Sequence, residues 1–244
     1  ITNVFAHIDY KKELMQSVDI LLDNDGIFVI ETPYLINLVE NLEYDTIFLE
    51  HLEYISIRPS IQFFNKFDME IFDVEKYDIH GTSVRIFVNR KGKRSISENV
   101  NKFVELENQK GVYDKEVLAD FANKVKDHQK ALLDLLRELK RNNKRIVGIS
   151  APAKGNTILN YCKIDTDLVD YMTEKAVIKQ NHFTPGMHIP IVSETHLQKD
   201  KPDYGIIFAW NFAKEIMKNN ANFLNNGGKF IIPIPSPTIK SELD

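Results

Sequence analysis

"KRIVGISAPAKGNTILNYCK", residues 144–163, begins as an apolar strand, passes through a loop of small residues and continues as a helix. Such an order is half of a unit in which parallel strands are joined by crossover helices. Toward the C-terminus the alternation repeats. "DLVDYMTE" (167–174) reads as a strand, and "DYGIIFAW" (203–210) as a strand leading into the helix "NFAKEIMKNNANFL" (211–224). "NNGGKFIIPIP" (225–235) is a glycine turn followed by the last strand. Strands alternating with helices predict a mostly parallel sheet covered on both faces.

Toward the N-terminus the pattern changes. Apolar spacing predicts helices over 97–109 and 114–141, the second carried by Val117, Leu118, Phe121, Val125, Leu132, Leu135, Leu136 and Leu139. "SIQFFNKFDMEIFDVEKYDIHGTSVRIFVNRKG" (60–92) reads as a helix and two strands, roughly 69–79 and 83–90. Their short connection makes them antiparallel. A helix within 9–22, the turn "DNDG" and the buried strand "IFVIETP" (27–33) form a further α/β unit. Ligands of such sheets bind at strand ends, which makes Glu31 a site candidate beside the alternative of a loop cap.

The bulk numbers exclude several classes. A net charge of −4 gives no electrostatic reason to expect nucleic acid or an anionic membrane as partner. One cysteine, Cys162, supports neither a disulfide framework nor a zinc cluster. No apolar run reaches the roughly 18 residues of a membrane span, and no signal peptide is visible, so the expected location is cytoplasmic. The chain opens "ITNVFAHIDY", apolar and periodic from its first residue, which reads as the interior of a domain.

Three stretches carry candidate chemistry. In "APAKGN" (151–156), small residues before a helix suit an anion, with Lys154 adding charge; an ordinary strand-to-helix turn is the alternative. It matches neither the P-loop nor the dinucleotide fingerprint. "VIKQNHFTPGMHIPIVS" (177–193) is a polar loop holding Lys179, His182 and His188, without a third ligand at metal-binding spacing. "DTIFLEHLEYIS" (45–56) sets Glu50 beside His51 in apolar surroundings, either as a structural pair or as a proton-transfer group. On a strand the two side chains would point to opposite faces, so joint action needs a loop or helical turn.

Together these stretches resemble the S-adenosylmethionine-dependent C-methyltransferases of nucleotide-linked deoxy-sugars. The resemblance runs through "NVFAHIDY", "FVIETPY", "DTIFLEHLEYIS", "HGTSVR" (80–85), "GISAPAKGNTILNYC", "KQNHFTPGMHIPI" and "IIFAWNFAKEI", in order along essentially the whole chain. It departs from the family at Phe48 for tyrosine, Leu49 for histidine, Thr82 for glycine and Asn181 for glycine. The implied architecture is α/β. Residues 1–96 would be the C-terminal part of a class I, Rossmann-like methyltransferase domain. Residues 97–143 would be a helical connecting arm, and 144–244 a second Rossmann-like domain holding the nucleotide-sugar. A zinc-binding domain and the glycine loop that grips S-adenosylmethionine are expected upstream of Ile1, with no metal in this chain.

The resemblance also implies roles. His51 would be the base that removes a proton beside the ketone of a 4-keto sugar, with Glu50 its partner and His7 close by. His80, Ser83 and Arg85 would line the substrate site. Ala153, Lys154, Gly155, Asn156 and Lys179 would hold the nucleotide, and Asn3 and Glu31 the methyl donor. Two rivals stand beside this reading, a catalytically impaired nucleotide-sugar-binding module and an O- or N-methyltransferase on the same scaffold.

Overall fold

The computed structural model describes residues 1–77 and 83–242. The first elements in chain order are α1 (Lys11–Leu21), β1 (Phe28–Pro33), α2 (Leu35–Glu40), α3 (Ile57–Asn65), β2 (Met69–Tyr77) and β3 (Ser83–Arg90). Two helices follow, α4 (Glu98–Lys110) and α5 (Lys115–Arg141). The remainder comprises β4 (Ile146–Ile149), α6 (Gly155–Cys162), β5 (Met172–Glu174), β6 (Ile191–Ser193), α7 (His196–Asp200) and β7 (Tyr204–Ile207). It ends with α8 (Ala213–Asn219), α9 (Ala221–Asn225), β8 (Lys229–Ile232) and β9 (Thr238–Lys240). The chain divides into two compact units: Ile1–Glu40 with Leu49–Phe121, and Asn41–Phe48 with Ala122–Asp244.

The first unit holds a three-stranded antiparallel sheet in the order β1-β3-β2. Alternation along β3 sends Val84, Ile86 and Val88 into one core with Ile30, Ile71 and Val74. Met15 and Val18 of α1 and Ile57 and Phe64 of α3 complete that core. On the opposite face of the strands Glu31 stands across from Arg85. The other edge of β1 is met in parallel by residues 1–3, with Glu31 N–H donating to Ile1 O at 2.9 Å and Asn3 N–H to Glu31 O at 2.8 Å.

The second unit holds a six-stranded sheet in the order β6-β5-β4-β7-β8-β9, parallel except for β9. The chain winds from β4 outward through β5 to β6, then returns to lay β7 on the other side of β4. The order therefore reverses between β4 and β7, a topological switch point, and ligands of open α/β sheets bind outside the strand ends at such points. The parallel sheet expected from the sequence is present. β6 and β9 were not among the expected strands. Each has three residues and lies close to prolines. β5 is confined to the last three residues of its expected span, because 165–169 form a hydrogen-bonded turn.

Candidate active site

In the first unit the Glu50–His51 stretch is irregular backbone lying between residues 44–46, a 3₁₀ turn, and α3. It is anchored by Leu52 N–H donating to Ala6 O at 3.0 Å. That bond brings the stretch beside the 3₁₀ turn Phe5–His7. His7 Nδ1 lies 3.8 Å from Glu50 Oε2, and the rings of His7 and His51 meet edge to face with centroids 4.9 Å apart. Glu50 thus approaches His7, and His7 adjoins His51. Lys11 secures the flank through Glu53 at 2.7 Å. A carboxylate beside two partly exposed imidazoles places candidate proton-accepting nitrogens at one spot.

The residues expected to contact substrate and donor are placed as follows. Arg85 Nε donates to Glu31 Oε2 at 2.7 Å, and its guanidinium lies 3.8 Å from the Tyr77 ring centre. Glu31 is buried, so this pair neutralises a carboxylate that burial would otherwise penalise. Ser83 is buried at the start of β3, opposite Pro33 and Tyr77. Asn3 is exposed and left-handed, with φ 52°. His80 lies outside the described residues.

In the second unit the loop 150–156 follows β4 at the switch point. Most of its amides are used by the chain. Gly155, Asn156 and Thr157 N–H donate to Pro152, Ala153 and Lys154 carbonyls at 3.0–3.1 Å, and Ala151 N–H to Glu174 Oε2 at 3.1 Å. Lys179 Nζ donates to Ala151 O at 3.0 Å and lies 3.6 Å from Glu174. A Cβ on Gly155 would stand 3.0 Å from Phe208 Cβ, so this glycine lets α6 approach β7. Ser150 is left-handed at φ 64° and opens onto a cavity of about 160 Å³ beside Glu174, Glu194 and Glu215. Three carboxylates there oppose an anion. Among the described residues no group of three or more His, Cys, Asp or Glu could hold a metal, and no helix is long and apolar enough to cross a membrane.

Lys154 was expected either to meet phosphate or to point into water. Its Nζ instead lies 3.4 Å from Asp45 Oδ2 and 4.5 Å from the Trp210 ring centre. Trp210 Nε1 donates to the same oxygen at 2.7 Å. Nearby, His128 Nε2 must donate to Pro233 O at 2.6 Å, since a carbonyl only accepts, which leaves Nδ1 to accept from Tyr44 Oη at 3.1 Å. The Tyr44 oxygen then accepts the Cys162 thiol at 3.5 Å. Burial lowers the His128 pKa, in keeping with this neutral tautomer. Sequence reasoning did not single out Tyr44, Asp45 or Trp210. The available signal was Asp45, which opens the very stretch that carries His51.

Comparison with known proteins adds the family. Residues 78–235 match the family described as C-methyltransferase C-terminal domain. The chain is also 33% identical over 238 residues to the C-methyltransferase NovU of Streptomyces niveus, covering 97% of this chain and 57% of that protein. The chain thus spans a little over half the length of the relative it matches. The matched residues run from the end of β2 to the residues after β8, so they include the loop 150–156 and Trp210. The chain belongs to the C-methyltransferase family.

Proposed function

We propose that the chain is part of an enzyme that methylates carbon next to the ketone of a nucleotide-linked 4-keto-deoxy-sugar. The observation that supports this most is the Glu50–His7–His51 group, in which a carboxylate and two imidazoles lie within 3.8 and 4.9 Å of one another. A ketone acidifies the neighbouring C–H. His51 takes that proton, its electron pair becomes the enolate, and His7 with Glu50 shares the positive charge that His51 acquires. S-adenosylmethionine, when bound, supplies an electrophilic methyl group to the enolate carbon. Of the residues assigned to that donor, Asn3 fits as an exposed polar rim. The Glu31 carboxylate is already held by Arg85 and does not fit as a direct partner of a sulfonium.

The nucleotide-sugar is assigned to residues 144–244, with its phosphates near Ala153, Gly155 and Asn156 and Lys179 at the rim. The described amides of that loop without an acceptor in the chain are those of Ala153 and Lys154. His80, Ser83 and Arg85 are assigned to the sugar. The test uses the intact natural protein. With S-adenosylmethionine and a 4-keto nucleotide-sugar in deuterated water, the carbon beside the ketone should exchange its proton. His51→Asn should lower both exchange and methyl transfer on the order of 100-fold or more. Methylation without exchange would assign the transfer to oxygen or nitrogen, and unimpaired turnover of the variant would remove His51 as the base.

A further inference from the structure

Asp45 presents an unusual situation for a carboxylate. It is fully buried, Oδ2 is shared by Trp210 Nε1 and Lys154 Nζ, and Oδ1 has no hydrogen-bond partner among the described residues. Lys154 belongs to the loop after β4, and Trp210 to the 3₁₀ turn after β7. These are the two strands between which the sheet order reverses. In open α/β sheets an external ligand enters outside the strand ends at that point. Here the chain supplies its own anion. The 3₁₀ turn Tyr44–Thr46 packs against α6, and Asp45 reaches from it to one group from each flanking loop.

We propose that Asp45 is a positioning residue: its carboxylate occupies the switch point of the parallel sheet as an intramolecular ligand and holds residues 41–48 in place. Lys154 serves that carboxylate, not the substrate phosphates. The segment it fixes continues directly into the catalytic stretch, with six positions from Asp45 to His51. The functional consequence rests on the reading of His51 as the base. A base displaced by even about 1 Å can lose on the order of 100-fold in rate, so a buried anchor at this spacing bears on turnover. Tyr44 reinforces it through His128 and Cys162.

Asp45→Asn, Lys154→Met and the double variant test the proposal, with emission and amide exchange read on residues 1–244 and turnover on the intact natural protein. Trp210 is the only tryptophan in the chain, so its emission reports the carboxylate beneath the indole N–H and the cation over its ring. Both single variants should shift that emission and speed amide exchange over 41–51 by about tenfold or more. They should lower kcat by about 10- to 100-fold while KM for the nucleotide-sugar stays within about twofold. The double variant should be no worse than either single one, because the two side chains act as a pair. It also guards against misfolding, since replacing both partners of a buried pair is tolerated better than removing one. A raised KM with unchanged kcat in Lys154→Met alone would make Lys154 a substrate ligand and overturn the proposal. Unchanged emission and exchange in both single variants would overturn it equally. Those two readouts need no turnover, so they decide the anchor even if the protein methylates no keto-sugar.

Discussion

Glu43 sits two residues before Asp45, buried, with the Asn41 amide donating to its Oε1 at 2.9 Å. Burial pushes its carboxyl from an ordinary 4.5 up to about 7; the Asn41 bond opposes that rise, Asp45 adds to it and Lys154 opposes it again. Between about pH 4.5 and 7 the folded chain holds a proton that the unfolded chain has released. Stability therefore falls as pH rises through that window, by on the order of 2–3 kcal/mol. His128 has the opposite sign. Its lowered pKa gives stability that is complete above its unfolded value near 6.5 and is lost as pH falls below it. A variant comparison isolates Glu43. Glu43→Gln should be more stable than the wild type above pH 7 by on the order of 2 kcal/mol, with the gain vanishing near pH 4.5. Urea titrations at pH 5 and pH 8 check this, and equal midpoint differences at both would contradict it. At this scale the sequence was legible for the candidate proton-transfer groups and illegible for their partners. Glu50 and His51 were recognisable as a pair of residue types. That Glu50 would approach His7, and Lys154 Asp45, depends on contacts across 43 and 109 positions of chain.

The helix α3 shows the same division at the scale of an element. Ser56 occupies the position of an N-cap, the residue type that a sequence reading would choose, yet its side chain makes no capping bond. The fully buried Glu107 of α4 performs the task from a distance. Its Oε1 accepts from Ile57 N–H at 2.5 Å and Tyr34 Oη at 2.9 Å, and Oε2 from Arg58 N–H at 3.0 Å and Tyr113 Oη at 2.5 Å. A carboxylate at a helix start also meets the favourable end of the helix dipole. Four donors converge on an acceptor-only group. Glu107→Gln would turn an NH₂ toward two of them, and the expected loss of stability is about 2–4 kcal/mol. Denaturant unfolding should show a lower midpoint at unchanged slope; a change below about 0.5 kcal/mol would show that water or relaxation replaces the carboxylate. The helices and longer strands were readable because apolar spacing reports which face is buried. Thus α4, α5, β2 and β3 fall within about two residues of their expected spans. The three-residue strands β6 and β9 are too short for any period, and their pairing comes from the neighbouring strands.

The chain as a whole places residues 41–48 with Ala122–Asp244, although the 73 positions of the first unit from 49 to 121 lie between them. No local pattern announces this. The segment is assigned by what it buries: Tyr44 against His128, and Asp45 against Lys154 and Trp210. It follows that residues 122–244 alone would retain the parallel sheet and the core of Val147, Ile149, Ile207 and Phe230, yet lose the acceptor of Trp210 and the partner of Lys154. A half-buried cation and a buried imidazole would each lose a partner, at a penalty of about 1–3 kcal/mol apiece where water does not replace it. Such a fragment should therefore fold less stably than the same unit within the whole chain, and its Trp210 emission should report a wetter indole. A synthetic peptide of residues 41–48 should partly restore both properties on addition. The same peptide with Asp45→Asn should restore less, because the ion pair and the charged acceptor are missing while Tyr44 is kept. The comparison also separates the two anchors, since a Tyr44→Phe peptide removes the His128 bond and leaves Asp45 intact. If the fragment matches the whole chain in stability and emission without any peptide, residues 41–48 merely rest on the second unit and do not complete it.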